Sequence, residues 1–305
     1  MESLTEQVQQ NPAAASPRRA VPWMTITWFG LLLIGAFFPI LRKLVNQWAT
    51  DEDVGHGFFV PIVFGFIAWQ RRDTLMSLEW KPCWWGVGLI VLSGIQAYIG
   101  MLGAELFLQR TAFLEALLGV LLVLGGTATV RALLFPLLLL PFMIPIPGVI
   151  YSQITFPLQL FASSVAETVL NGIGIPALRD GNILELASQK LSVVEACSGI
   201  RSLLTLTFLS LVYAYVFDGK MWMRWALLAI TIPIAILANA GRVTITGILS
   251  EIDTKLANGI FHQMEGWVIF AIAFLMLVIA HQLINWIYGI RHEPKVLAES
   301  ALGDA

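Results

Sequence analysis

Charge is scarce in this sequence. Of 305 residues, 18 are Lys or Arg and 20 are Asp or Glu, 12% in all, where a soluble domain carries about 25%. With a mean hydropathy of +0.78, that scarcity excludes an ordinary water-soluble globule and predicts a membrane-embedded chain. A net charge of −2 leaves no cation surplus to attract a nucleic acid, so none is expected as a partner. Cysteine is scarcer still. Cys83 and Cys197 are the only two, too few for a disulfide framework. There is no HExxH, no Cys-x-x-Cys, no P-loop and no dinucleotide fingerprint, and "ACSGI" is not the G-x-S-x-G elbow of a serine hydrolase. The sequence therefore predicts neither a metal nor a cofactor.

What is present is a series of long runs with little or no charge. Eight reach or approach the length that an α-helix needs to cross the hydrocarbon. They are Trp23 to Leu41, His56 to Gln70, Trp84 to Gly103, Thr111 to Val130, Ala132 to Pro147, Ser198 to Phe217, Trp222 to Gly241 and Met264 to Tyr288. The second is short. The fifth carries Pro136, Pro141, Pro145 and Pro147, which kink or end a helix. The fourth holds one carboxylate, Glu115. With the N-terminus in the cytosol, ten Lys and Arg fall inside and eight outside, a bias in the positive-inside direction. Cys83 and Cys197 then lie on opposite sides of the bilayer.

The expected fold is an all-α polytopic membrane protein of about eight transmembrane helices, with an extracytoplasmic amphipathic helix and a small β-hairpin. Residues 1–20 form a disordered cytosolic tail, 21–290 a single transmembrane catalytic domain, and 291–305 a cytosolic C-terminal tail. The longest loop, 148–195, lies outside. "YSQITFPLQLFASSVAETVLNGIG" mixes Phe, Leu and Ile with Gln, Ser and Glu, a pattern that suits a helix lying in the interface. Asp180-Gly181 is a hairpin turn signal between partly alternating runs. The hairpin would deliver the chain to Cys197.

Under this topology three candidate groups share the outer face. Cys197 opens the sixth run, Arg242 follows the seventh in "LANAGRVTITG", and His262 precedes the eighth in "IFHQMEGW". A cysteine in the first turn of a helix sits near free backbone N–H groups and the positive end of the dipole, which favours the thiolate. Arg201, one turn on, adds positive charge. An arginine at a helix end can present a fixed fork to a developing oxyanion, or simply snorkel to the headgroups. Asn239, one turn before Arg242, adds a polar group at the same level. A histidine there can protonate a leaving amine, or serve as a hydrogen-bonded anchor. The bland reading of Cys197 is a small buried hydrophobe. His56, in "DEDVGHGFFVP", and Glu195, two residues before the cysteine, are secondary candidates.

Five blocks together resemble the exosortase/archaeosortase family of integral-membrane cysteine transpeptidases. "DEDVGHGFFVPIVFGFIAWQRR" is similar to the family's N-terminal block and "FMIPIPGVIYSQITFPLQLFASSVAETVLNGIGIP" to its central one. "LSVVEACSGIRSLLTL" resembles the nucleophile block and is the most specific. "IPIAILANAGRV" and "HQMEG" resemble the arginine and histidine blocks. The resemblance spans about Asp51 to Trp267. It implies a catalytic set of Cys197, Arg242 and His262, with His56 and Arg201 inside family blocks but without an assigned role. It further implies an enzyme of the bacterial inner membrane, its site facing the periplasm, in a system linked to exopolysaccharide. The partners would be membrane-anchored proteins with a tripartite C-terminal signal: a Pro-Glu-Pro-type motif, a transmembrane helix and a basic cluster. Neither the substrate nor the acceptor nucleophile is readable from the residues. Two other classes compete: a multi-span transporter or flippase, which the proline-broken runs would fit, and a non-catalytic subunit of an export complex.

Overall fold

A computed structural model describes residues 23–193, 199–253 and 260–303; for residues 23, 52, 199–202, 260–265 and 290–303 it describes the backbone alone. The chain is mostly helical, with one small antiparallel sheet. It divides into two compact units, Met1–Thr50 with Gly57–Ile144, and Asp51–His56 with Pro145–Ala305. Five helical segments are long and apolar enough to cross a bilayer: Met24–Thr50, Trp85–Leu102, Leu106–Ala132, Met221–Ile252 and Gly266–Gly289. These correspond to five of the eight expected crossings. The second and the fifth differ from expectation.

In the first unit, α1 (Trp23–Thr50), α4 (Trp85–Leu102) and α5 (Leu106–Ala132) are long, while α2 (Phe59–Gln70), α3 (Arg72–Ser77) and α6 (Leu134–Leu139) are short. The second expected crossing is α2, of 12 residues. At 1.5 Å per residue it spans about 18 Å, against about 30 Å of hydrocarbon. The fifth is broken: α6 gives way to a 3-10 turn, Leu140–Met143, and the chain stays non-helical to Pro147. Prolines at 141, 145 and 147 lack the N–H groups needed to continue a helix. α4 and α5 pack closely, because Gly86 and Gly119 face each other; a Cβ on Gly119 would lie 2.9 Å from the Gly86 carbonyl. α5 kinks at Gly126, whose φ is +73°. The Leu122 carbonyl at this kink takes the Cys83 N–H at 3.0 Å. Arg110, expected among the outside loop charges, is instead buried in α5, with its Nη2 donating to Gln47 Oε1 at 2.7 Å.

The second unit holds α7 (Gly148–Gly172), the sheet, α8 (Gly199–Phe217), α9 (Met221–Ile252) and α10 (Ile260–Gly303). The sixth expected crossing coincides with α8, a helix of 19 residues whose first turn is described by its backbone alone. α7 is polar on its inner side. Thr155, Gln159 and Ser163 are buried while Val149, Phe156, Phe161 and Val169 are exposed. A helix resting on a headgroup layer would turn those polar groups to water. Here Gln159 and Ser163 bond the hairpin loop of the sheet, and the apolar side is left uncovered. Leu134–Met143 taken with α7 would make a sixth crossing segment.

The expected hairpin is present and gains a third strand. The strands are β1 (Ala177–Asp180), β2 (Ile183–Leu186) and β3 (Lys190–Ser192), in the order β1-β2-β3. Asp180 pairs with Ile183, leaving Gly181-Asn182 as a two-residue loop. Gly181 has φ +62°, the positive angle that a tight hairpin of this hand requires at its first loop position. Asn171 of α7 clamps β1 with both amide atoms, accepting from Ala177 N at 3.0 Å and donating to Ala177 O at 2.9 Å. Ser163 Oγ donates to Gly181 O at 3.1 Å and Asn182 Nδ2 to Gln159 Oε1 at 3.1 Å. Leu184, Leu191 and Val193 share one apolar core with Ala166 and Leu170 of α7 and Ala240 and Val243 of α9. The first half of α9 packs in a second core with α8 and α10, through Leu206, Leu227, Ala235, Ala273 and Leu277.

Candidate active site

Arg242 lies in the second half of α9, next to Val243 in the core that holds the sheet. Its backbone carbonyl accepts from Thr246 Oγ1 at 3.0 Å. Its guanidinium lies against α10: a Cβ built on Gly266 would sit 3.4 Å from Nη2, 3.5 Å from Cζ and 3.6 Å from Nη1. Only a residue without a side chain leaves this face of α10 fully open to the fork. The Nε atom is buried and has no hydrogen-bond partner among the described residues. A buried guanidinium N–H without an acceptor is costly, and it is a ready donor for an anion that arrives later.

Asn239 is buried one turn before Arg242. It lines a crevice of about 10 Å³ with Leu158, Leu203, Ala235 and Ile236, room for about one water molecule. The crevice sets the start of α8, through Leu203, beside Asn239 of α9. α8 begins at Gly199, two residues after Cys197 in the sequence. His262 lies in α10, four residues before Gly266. By the period of the helix, position 262 is one turn away on the face that meets the guanidinium. The beginning of α8, Arg242 and the beginning of α10 therefore share one end of the α8–α9–α10 layer.

Cys197 and Glu195 lie outside the described residues, and Arg201 is described by its backbone alone, in the first turn of α8. His56 is buried, in the 3-10 turn Glu52–Phe58. The segment that carries it is held to α7 by Tyr151, whose hydroxyl donates to Asp53 Oδ2 at 2.9 Å. The chain into the nucleophile segment leaves β3 through Val193, which is fully buried.

A second polar constellation was not foreseen. His281 of α10 is buried with Asp218, at the other end of the layer. His281 Nε2 lies 3.1 Å from Asp218 Oδ2, and Tyr213 OH lies 2.9 Å from His281 Nδ1. A carboxylate can only accept, so Nε2 donates to it, and Asn285 Nδ2 lies 2.8 Å from the same nitrogen. Lys220 N also donates to Asp218 Oδ1, at 2.7 Å, and Arg224 Nη2 to the Asp218 carbonyl, at 3.1 Å. Burial pushes the Asp218 pKa up; the hydrogen bonds from Lys220 N–H, His281 and Asn285, with the Lys220 charge, outweigh it and hold the carboxyl below the ordinary value. Fifteen residues of α10 separate His281 from Gly266, about 22 Å, so this network is not part of the Arg242 locus. Its sequence signal was His281 and Asn285 at i and i+4 in an apolar run, with a lone aspartate in the loop before α9.

Residues 48–279 match a protein family described as transmembrane exosortase. The match covers about three quarters of the chain and includes all seven candidate positions. No curated protein and no solved structure matches the chain.

Proposed function

The chain belongs to the transmembrane exosortase family, membrane proteins with a sorting transpeptidase role, and on that premise we propose that it cleaves the C-terminal sorting signal of secreted proteins through a thioester on Cys197. The substrates carry a Pro-Glu-Pro-type motif, a transmembrane helix and a basic cluster. The enzyme resides in the bacterial inner membrane, with both termini in the cytosol and the site on the periplasmic side.

The observation that carries this reading is Arg242. It presents a buried Nε that has no hydrogen-bond partner among the described residues and rests on the α10 face to which position 262 belongs. In the reaction, His262 takes the thiol proton of Cys197 and the sulfur attacks the scissile carbonyl carbon. A C–S bond forms, and the carbonyl oxygen gathers the negative charge. Arg242 donates to that oxygen as the charge develops, which is where a fixed donor lowers a barrier. The C–N bond then breaks, and His262 returns its proton to the departing amine. An acceptor amine, or water, attacks the thioester, loses a proton to His262 and releases the thiol. Confinement of enzyme and substrate to one membrane raises their effective concentration, so a short motif suffices for recognition.

The test is processing of a tagged substrate co-expressed with wild type, Cys197→Ala, Cys197→Ser or Arg242→Lys. Both cysteine variants are expected to be inactive. Lysine keeps the charge but loses the planar fork, and a severe loss is expected there too. Wild-type processing by Cys197→Ala would remove the nucleophile from this scheme.

A further inference from the structure

The segment that carries Cys197 enters from β3, and β3 is fastened to α9 by a line of polar side chains. Ser188, in the β2–β3 turn, donates twice to Glu251 Oε1 of α9, from its backbone N at 2.9 Å and from Oγ at 2.7 Å. The neighbouring Gln189 Nε2 donates to Ser250 Oγ at 2.8 Å. Ser250 is buried, and its Oγ donates in turn to the Thr246 carbonyl at 2.8 Å. Thr246 Oγ1 donates to the Arg242 carbonyl at 3.0 Å. Positions 242, 246 and 250 recur every four residues, one stripe along one side of the helix. Two ties thus hold the β2–β3 turn to α9, Ser188 to Glu251 and Gln189 to Ser250, and Ser250 and Thr246 each bond a carbonyl one turn back, the second of them that of Arg242.

A side chain that only stabilised the end of α9 would need no partner on the sheet. These partners belong to the turn that immediately precedes β3, and α9 also holds the β3 side of the sheet through the apolar core of Leu191, Val193 and Val243. The sheet is independently tied to α7 by Asn171 and Ser163. The connection to α9 therefore does something the α7 contacts do not: its polar ties fix the entry of β3, and the packing of Val193 its exit, against the helix that bears the guanidinium.

We infer that Glu251, with Ser250 and Thr246, forms a positioning brace that sets the Cys197 segment relative to Arg242. This rests on the reading of Cys197 as the nucleophile and Arg242 as the oxyanion donor. Glu251 touches no reacting atom. It acts through Ser188 and the strand that follows, and a displacement of about 1 Å between reacting groups can cost about a hundredfold in rate.

The experiment compares full-length wild type, Glu251→Ala, Glu251→Gln, Ser188→Ala and Cys197→Ala in detergent, with kinetics on a tagged substrate and melting temperature measured on the same preparations. Glu251→Ala is expected to lose about ten- to a hundredfold in kcat with KM within about twofold, at a melting temperature close to wild type. Ser188→Ala, which keeps the backbone N–H donor, loses less. Glu251→Gln retains the accepting oxygen and recovers most of the rate. Wild-type kcat in Glu251→Ala, or an activity loss that merely follows a lost folded fraction, overturns the brace. Processing by Cys197→Ala removes its premise instead, so the two failures are distinct.

Discussion

Replacing Gly266 with progressively larger residues tests whether the Arg242 fork works in the position where it lies. A Cβ at 266 meets Nη2, Cζ and Nη1 at 3.4, 3.5 and 3.6 Å, ordinary van der Waals contact. Gly266→Ala should therefore fold normally. It gains up to about 1 kcal/mol of helix preference over glycine and nudges the guanidinium little. Valine adds two carbons, each about 1.5 Å further out. A γ carbon directed at the fork then falls well inside contact distance, and the guanidinium must move. If Arg242 supplies one oxyanion donor, its displacement costs about 10²- to 10³-fold in kcat, or about 2.7–4 kcal/mol. The assay is processing of a tagged substrate by purified Gly266→Ala, Gly266→Ser and Gly266→Val, with melting temperatures to confirm folding. The expected order is alanine near wild type, serine intermediate and valine close to Arg242→Ala. A folded Gly266→Val enzyme with wild-type kcat would show that the fork does no work at this place.

The Asp218 network gives a pH signature separate from catalysis. Its carboxyl is held below the ordinary value, so its contribution is complete above the unfolded aspartate pKa and fades as pH falls toward the folded one. Thermal melts from pH 7 to 3 should show Asp218→Asn less stable at neutral pH by about 1–3 kcal/mol, with the gap to wild type closing in acid; a constant gap would contradict the sign. Gly126→Ala should abolish folded yield, because φ is +73° there and a Cβ would fall onto the Lys81 carbonyl oxygen, whereas Gly148→Ala, with open space around it, should be recovered normally; size-exclusion profiles after extraction decide this.

Much of the architecture was legible because bilayer crossing needs only length and scarcity of charge, and five charge-poor runs meet both requirements. The Asp180-Gly181 turn was legible for a different reason, since a positive φ at Gly181 is a local demand that glycine advertises. α7 was harder. Its mixture of Phe and Leu with Gln and Ser fixes a two-sided helix, but periodicity does not say which side meets lipid. The bonds of Ser163 and Asn171 to the sheet join partners that the helix pattern does not report. β3 is three residues long, too short to leave an alternation. The burial of Arg110 depends on Gln47, 63 positions away, and no local pattern reports such a partner.

For the site, the arginine was legible as a cation at the end of an uncharged run, and "HQMEG" placed a glycine one turn after His262. The contact between that glycine and Arg242 joins two helices that pack side by side, and it was not legible. The brace escaped notice because Thr246, Ser250 and Glu251 read as ordinary polar residues near a helix end. Only the position of Ser188 and Gln189 in space gives them a task.

The most direct measurement of the central claim is mass spectrometry of the wild-type enzyme quenched in acid during turnover of a tagged substrate. The account predicts a peptide containing Cys197 that carries the acyl fragment of the substrate, is released by hydroxylamine and is missing in Cys197→Ala. An acyl group on another residue, or cleavage that proceeds in Cys197→Ala with no covalent species, would contradict it.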